Sequence, residues 1–144
     1  MYTFDLDDYE LAPTAPGLRV SFPLDSARGA ASTATVLFEL DPGAELYMHQ
    51  DSAEELLIVV QGTAEARVGD EIGRLEAHQV ALVPAMAPHG LRNVGEDVLR
   101  VLGTFSASTV VSTFERPFEE DGPQVVVIGS PVALAGFLEE PIPA

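Results

Sequence analysis

The chain has no cysteine, no tryptophan and no lysine, and only three histidines among its 144 residues. Without cysteine it can form no disulfide, thiolate nucleophile, zinc finger or iron–sulfur cluster, so redox usage marks no compartment. Without lysine there is no Schiff base and no P-loop lysine, which removes aldolase, pyridoxal-phosphate and P-loop nucleotide chemistry. Seven arginines oppose 23 carboxylates, for a formal charge of −16. Cationic side chains drive binding to phosphate backbones and anionic bilayers, so neither nucleic acid nor membrane is an expected partner. No apolar run approaches the ~20 residues of a membrane helix, and Met1 to Asp8 lacks the basic and apolar regions of a secretory leader. The simplest expectation is a cytoplasmic protein of one domain.

What is present is strand patterning. Short apolar or alternating runs are separated by Gly, Pro, Asp and Asn from Leu18 to Phe105, and helical stripes are scarce. Strands are expected at Leu18 to Leu24, Ser32 to Leu40, Glu45 to His49, Glu55 to Val60, Thr63 to Val68, Ile72 to Leu75, Val80 to Val83, Leu91 to Val94 and Val98 to Phe105. Asp41-Pro42-Gly43 and Gly95-Glu96-Asp97 read as turns, and Gly69-Asp70 as a tight hairpin. The run Leu56 to Val60 is continuously apolar, as in a strand covered on both faces.

Beyond Phe105, Ser106 to Thr109 and Arg116 to Pro123 read as loops, Val125 to Ile128 as a strand covering an open edge, and Val132 to Leu138 as one or two helical turns. The tail Glu139 to Ala144 is expected to fray, and Tyr2 to Leu11 is either an arm or an edge strand. This describes one domain over 1–144, with a barrel core at about 18–105, an arm at 1–17 and an edge strand and tail at 106–144. So many short strands with so little helix make an all-β sandwich or barrel.

Four polar side chains stand out. His49 and Asp51 are two apart on an extended segment and therefore point to one face, and Glu55 has the same parity at the mouth of an apolar strand. His89 lies between Pro84-Ala85-Met86-Ala87-Pro88 and Gly90-Leu91-Arg92-Asn93. In an antiparallel barrel the two segments can lie side by side, so that His49, Asp51, Glu55 and His89 converge. Imidazoles and carboxylates with open positions suit a divalent transition metal.

Gly43, five residues, His49, one residue, Asp51, three residues, Glu55, six residues and Gly62 reproduce every spacing of the first cupin motif, with Asp51 where a second histidine is expected. Pro84, His89 and Asn93 stand in register with the second motif, while His78 and Met86 replace its two glycines. The chain thus resembles the cupin superfamily. The resemblance implies a double-stranded β-helix, or jelly roll, holding one metal ion through His49, Glu55 and His89. Asp51 is either a further oxygen ligand, a partner of a ligand water, or the trace of a site that has lost its metal. Oxygen-rich ligation favours iron or manganese, with zinc or nickel as alternatives. Glycine at the positions of His78 and Met86 would supply φ > 0, so the turn at Met86 is expected to be rebuilt, unless Met86 narrows the barrel mouth.

The function this implies is a metal-dependent cupin enzyme, of dioxygenase, isomerase or decarboxylase type, acting on a small organic molecule. Glu55 or Asp51, where not ligated, would carry a proton. The alternative is a non-catalytic small-molecule binder with an altered site. Tyr47, Leu57, Met86 and Leu91 are candidate pocket residues, with Val59 and Leu82 beside them. His78 reads as structural or exposed, Asn93 as a turn residue bonded to backbone, and Arg92 and Arg100 as partners for surface carboxylates or for an acidic substrate group. Homodimerisation is a further implication of the resemblance, through Tyr2 to Leu11 and Val125 to Ile128.

Overall fold

Alternating runs punctuated by turn residues fold into twelve strands, with no α-helix among residues 1–130, which the computed structural model describes. The helical turns expected over Val132 to Leu138, and the tail from Glu139, lie outside the described residues. In chain order the strands are β1 (Ala12–Ala15), β2 (Leu18–Leu24), β3 (Ala34–Leu40), β4 (Glu45–Asp51), β5 (Glu55–Gln61) and β6 (Thr63–Val68). They continue with β7 (Glu71–Glu76), β8 (Val80–Val83), β9 (His89–Asn93), β10 (Leu99–Phe105), β11 (Val110–Phe114) and β12 (Val125–Ile128). Strand β11 was not anticipated from the sequence.

Two six-stranded antiparallel sheets result, in the orders β1-β2-β3-β10-β5-β8 and β12-β11-β4-β9-β6-β7. This is a jelly roll, and its sheets take in strands on both sides of residues 18–105. Along β10 the residues Leu99, Val101 and Phe105 are buried while Arg100, Leu102 and Thr104 are not, the two-residue period of a strand with one face on the core. Phe38 and Leu40 of β3 and Leu57 and Val59 of β5 fill the space between the sheets. Each such side chain contributes roughly 1.5–3 kcal/mol through burial.

The apolar run of β5 is buried on one face only: Leu57 is 2% exposed, but its neighbour Leu56 is 41% exposed. Its outward residues continue onto β8, where Val80 and Leu82 are also exposed, because nothing in the described chain covers this end of the sheet. The other end is covered. Residues 1–9 form an arm across the outer face, where Arg100 pairs with Glu39 and Asp7 and donates to the Leu6 carbonyl, while Tyr2 donates to the Pro23 carbonyl. Leu37, on the outward side of β3, is fully buried there.

Two motif positions fix turns. Gly62 has φ of 89°, and a Cβ there would press on Leu99 Cα and Val98 O at 3.1 Å, so only glycine fits between β5 and β10. Asn93 donates through Nδ2 to the Leu40 and Asp97 carbonyls and accepts from the Gly95 amide, the backbone-bonding turn role expected of it. His78 and Met86 keep the glycine conformation, with φ of 74° and 64°. The turn at Met86 is therefore not rebuilt. Its amide donates to the Asp51 carbonyl at 2.8 Å, which holds the backbone in place while the side chain points to solvent.

Candidate metal centre

Strand pairing assembles the site. His49 on β4 lies directly opposite His89 on β9, and on its other side β11 sets Ser112 opposite Asp51 and Phe114 opposite His49. Glu55 enters from β5 in the facing sheet. All four expected ligands are buried, with exposures of 6% for His49, 2% for Asp51, 3% for Glu55 and 2% for His89.

Both imidazoles are oriented from behind. His49 Nδ1 lies 2.7 Å from the Tyr47 carbonyl and His89 Nδ1 lies 2.9 Å from the Ala87 carbonyl, so each Nδ1 carries a proton and each Nε2 faces inward. The two Nε2 atoms stand 3.6 Å and 3.1 Å from Asp51 Oδ2. His49, Asp51 and His89 thus bring one ligand atom each within 4.8 Å of one another. Glu55 stands beside this group rather than in it, with Oε1 3.3 Å from His89 Nε2.

Charge within the centre is unequally held. Burial, and then the neighbouring His89, push the His49 imidazole down to about 4, so it is neutral. Burial pulls His89 the same way, but the carboxylates of Asp51 and Glu55, 3.1 Å and 3.3 Å from its Nε2, outweigh it and raise the ring to about 10. Burial pushes the Glu55 carboxyl up to about 7, against the pull of His89. For Asp51 burial is outweighed by the histidines and by Ser112, which hold it below the usual carboxylate range.

A metal fits these residues. Asp51 Oδ1 accepts from Ser112 Oγ at 2.5 Å, whereas the buried Oδ2 has no aligned hydrogen-bond donor. A buried carboxylate oxygen that faces two imidazoles without an aligned hydrogen bond needs a positive charge beside it, which a proton on His89 or a bound cation supplies. Two histidines and one carboxylate form a donor set for first-row divalent ions.

The centre opens into a cavity of about 970 Å³ running toward β1 and β12. Leu57 lines it together with Val36, Phe38, Leu46, Phe105 and Ile128. Three other candidate residues do not line it. Tyr47 is two residues from His49 and in a regular strand would share its inward face, but a β-bulge between Leu46 and His49 adds a residue to β4 and turns Tyr47 outward. There it stacks on Phe118 at 5.6 Å and lies under the Arg116 guanidinium at 3.8 Å. Met86 is 54% exposed on its turn, and Leu91 is buried between the sheets without reaching the cavity. Val59 belongs to the same core, and Leu82 faces outward. Neither Arg92 nor Arg100 reaches the cavity, and His78 is exposed.

Three residues of the site were not singled out from the sequence. Ser112 bonds Asp51, the residue that departs from the first motif, and no pattern in the chain signals it. Phe114 stacks on His49 at 4.4 Å. Gly103 makes room for Glu55, since a Cβ there would overlap Glu55 Oε2. A glycine inside an apolar strand signals such a close approach.

The fold is shared with known proteins. A family profile described as "Cupin domain" matches residues 36–105. A search of curated protein sequences found no match. Among solved structures, a Lactobacillus farciminis oxalate decarboxylase in complex with formate aligns with a TM-score of 0.70 and 22% identity, covering 78% of this chain and 35% of that one. This chain therefore spans about a third of that enzyme's length. KdgF from Halomonas sp. aligns at a TM-score of 0.63 and 20% identity, over 74% of this chain and 94% of that one. The cupin domain of Schizosaccharomyces pombe Cnp3 gives 0.65 and 20%, with 73% of each chain covered. Identities this low establish a shared fold, and with the profile match they show that this chain has the cupin fold and carries a cupin domain, matched over residues 36–105.

Proposed function

We propose that the chain is a metal-dependent enzyme acting on a small organic molecule, with His49, Asp51 and His89 holding one divalent ion. The observation that carries this is Asp51 Oδ2, buried and without a hydrogen-bond donor between two inward-facing Nε2 atoms. Bound there, such an ion supplies Lewis acidity and, as iron or manganese, redox chemistry. The chain's own groups do the rest. Ser112 holds Asp51 Oδ1 and so commits Oδ2 to the centre. Glu55, with its carboxyl pushed up to about 7, exchanges a proton at neutral pH and is the proton carrier of the site. The apolar walls around Leu57 and Phe38 exclude water and favour a substrate that is itself largely apolar.

Elemental analysis of the purified protein, beside a His49→Ala, His89→Ala double variant, tests the metal. About one ion per chain, lost in the variant, is expected. A wild-type protein that stays metal-free after reconstitution with iron, manganese, nickel and zinc refutes the reading. A screen of small organic acids and phenols, with oxygen consumption as the first readout and product analysis for reactions that use no oxygen, then separates an enzyme from a binding module.

A further inference from the structure

The cavity's walls and charges narrow its ligand. Resting on the metal-holding reading above, we infer that the ligand is a flat, largely apolar molecule with paired oxygen donors at one end and at most one negative charge. Polar groups cluster at the inner end, where an ion held by three protein ligands would keep positions free for donor oxygens of a ligand. From there outward the walls are Phe38, Leu46, Leu57, Phe105 and Ile128, and the inner end is faced by an aromatic stack in which Phe114 lies on His49 and Phe118 meets Phe114 edge-on at 4.6 Å. Flat rings pack well against such faces.

Charge sets the second limit. Among the described residues lining the cavity, Arg28 is the one arginine, and it lies at the exposed rim, donating to Tyr2 Oη at 3.2 Å. Against it stand Asp51 and Glu55 within, and Asp8 and Glu10 at the mouth. With His89 committed to the ion, a small dicarboxylate would place two negative charges where no other interior cation side chain meets them, and would leave most of about 970 Å³ unfilled. Oxalate itself, the substrate named for one structural neighbour, is by this reasoning a poor ligand here.

The test titrates metal-free and zinc-loaded protein with 2-naphthol, 2,3-dihydroxynaphthalene and oxalate, following ligand fluorescence and heat. Metal-free protein is expected to bind both naphthalene compounds and not oxalate. Zinc should strengthen 2,3-dihydroxynaphthalene at least about tenfold more than 2-naphthol. Ile128→Trp and Val126→Trp, both on the cavity wall, should each weaken the two compounds. Leu82→Trp, on the outer face, should not. Oxalate binding the zinc-loaded protein as tightly as the diol overturns the inference. So do naphthalene compounds that fail to bind the folded metal-free protein, or that bind both wall variants unchanged. Failure to take up zinc would overturn the metal-holding reading instead, while ring binding by metal-free protein decides the apolar ligand body separately.

Discussion

Removing the Ser112 hydroxyl should loosen the metal without unfolding the barrel. Ser112 Oγ and Asp51 Oδ1 are 2.5 Å apart, and the two residues are 4% and 2% exposed. Ser112→Ala therefore leaves the buried carboxylate with no aligned donor on Oδ1, where Oδ2 already lacks one. A hydrogen bond to a charged group is worth roughly 1.5–3 kcal/mol. At ~1.4 kcal/mol per tenfold, that is about 10–150-fold in an equilibrium constant, close to the roughly 10–100-fold that outer partners of metal ligands command. The loss divides between the two states, because metal-free Asp51 can rotate or take up a proton, whereas ligating Asp51 cannot. Competition against a chromophoric chelator at pH 7 should thus show the zinc dissociation constant rising about 10–100-fold, and urea unfolding of metal-free protein should show a smaller loss. Ser112→Thr keeps the hydroxyl and should recover most of the affinity. A folded Ser112→Ala protein that binds zinc like wild type refutes the reasoning.

Three further outcomes are expected. Gly103→Ala puts a Cβ against Glu55 Oε2 and 2.7 Å from Val36 Cγ1, so urea unfolding should show a loss of about 1–3 kcal/mol, and NMR titration should show the His89 value falling as Glu55 is pushed away. Met86→Gly should raise stability by about 0.5–1 kcal/mol, because relief of the left-handed backbone outweighs the chain entropy of glycine; a decrease would mean that the exposed side chain makes a contact of its own. Metal-free protein should show a stability plateau between about pH 4.5 and 6.5. Across that range the depressed His49, whose contribution is lost as pH falls from 6.5 through about 4, opposes the raised Glu55, whose contribution is lost as pH rises from 4.5 through about 7. Above 6.5 stability should decline as the raised His89 loses its proton toward about 10, and urea midpoints that instead climb from pH 6.5 to 9 would contradict these assignments.

Strand patterning was readable where polarity alternates and turns are marked. The bounds of β2 and β8 and the two-residue hairpin at Gly69-Asp70 match the expectation, because in each the local pattern and the fold agree. Strand β11 escaped because Val110 to Phe114 carries two hydroxyl residues in five positions and no turn marker, so its strand character comes from pairing with β4 and β12. The continuous run in β5 misled for a different reason. An apolar side chain on an outer face looks the same in sequence as one in the core, and only the sheet order shows which face of β5 is covered.

The site was readable to the extent that its positions are spaced, and unreadable where a position needs a partner. His49 and His89 are each oriented by a carbonyl two residues earlier in the chain, so a local segment carries both ligand and support. Tyr47 shows how far parity reaches: Leu46, Tyr47 and Met48 are all apolar enough for either face, so the bulge that turns Tyr47 out leaves no mark in the pattern. Asp51 departs further from the local rule. An imidazole hands one nitrogen to its own backbone and offers the other, but a carboxylate placed there has two equivalent oxygens and no neighbouring donor to distinguish them. The distinction comes from Ser112, 61 residues away on a strand outside the matched cupin domain. Replacing an imidazole by a carboxylate at this position thus makes the centre depend on β11, so changes that loosen β11 should weaken metal binding even where they leave His49, Asp51 and His89 in place.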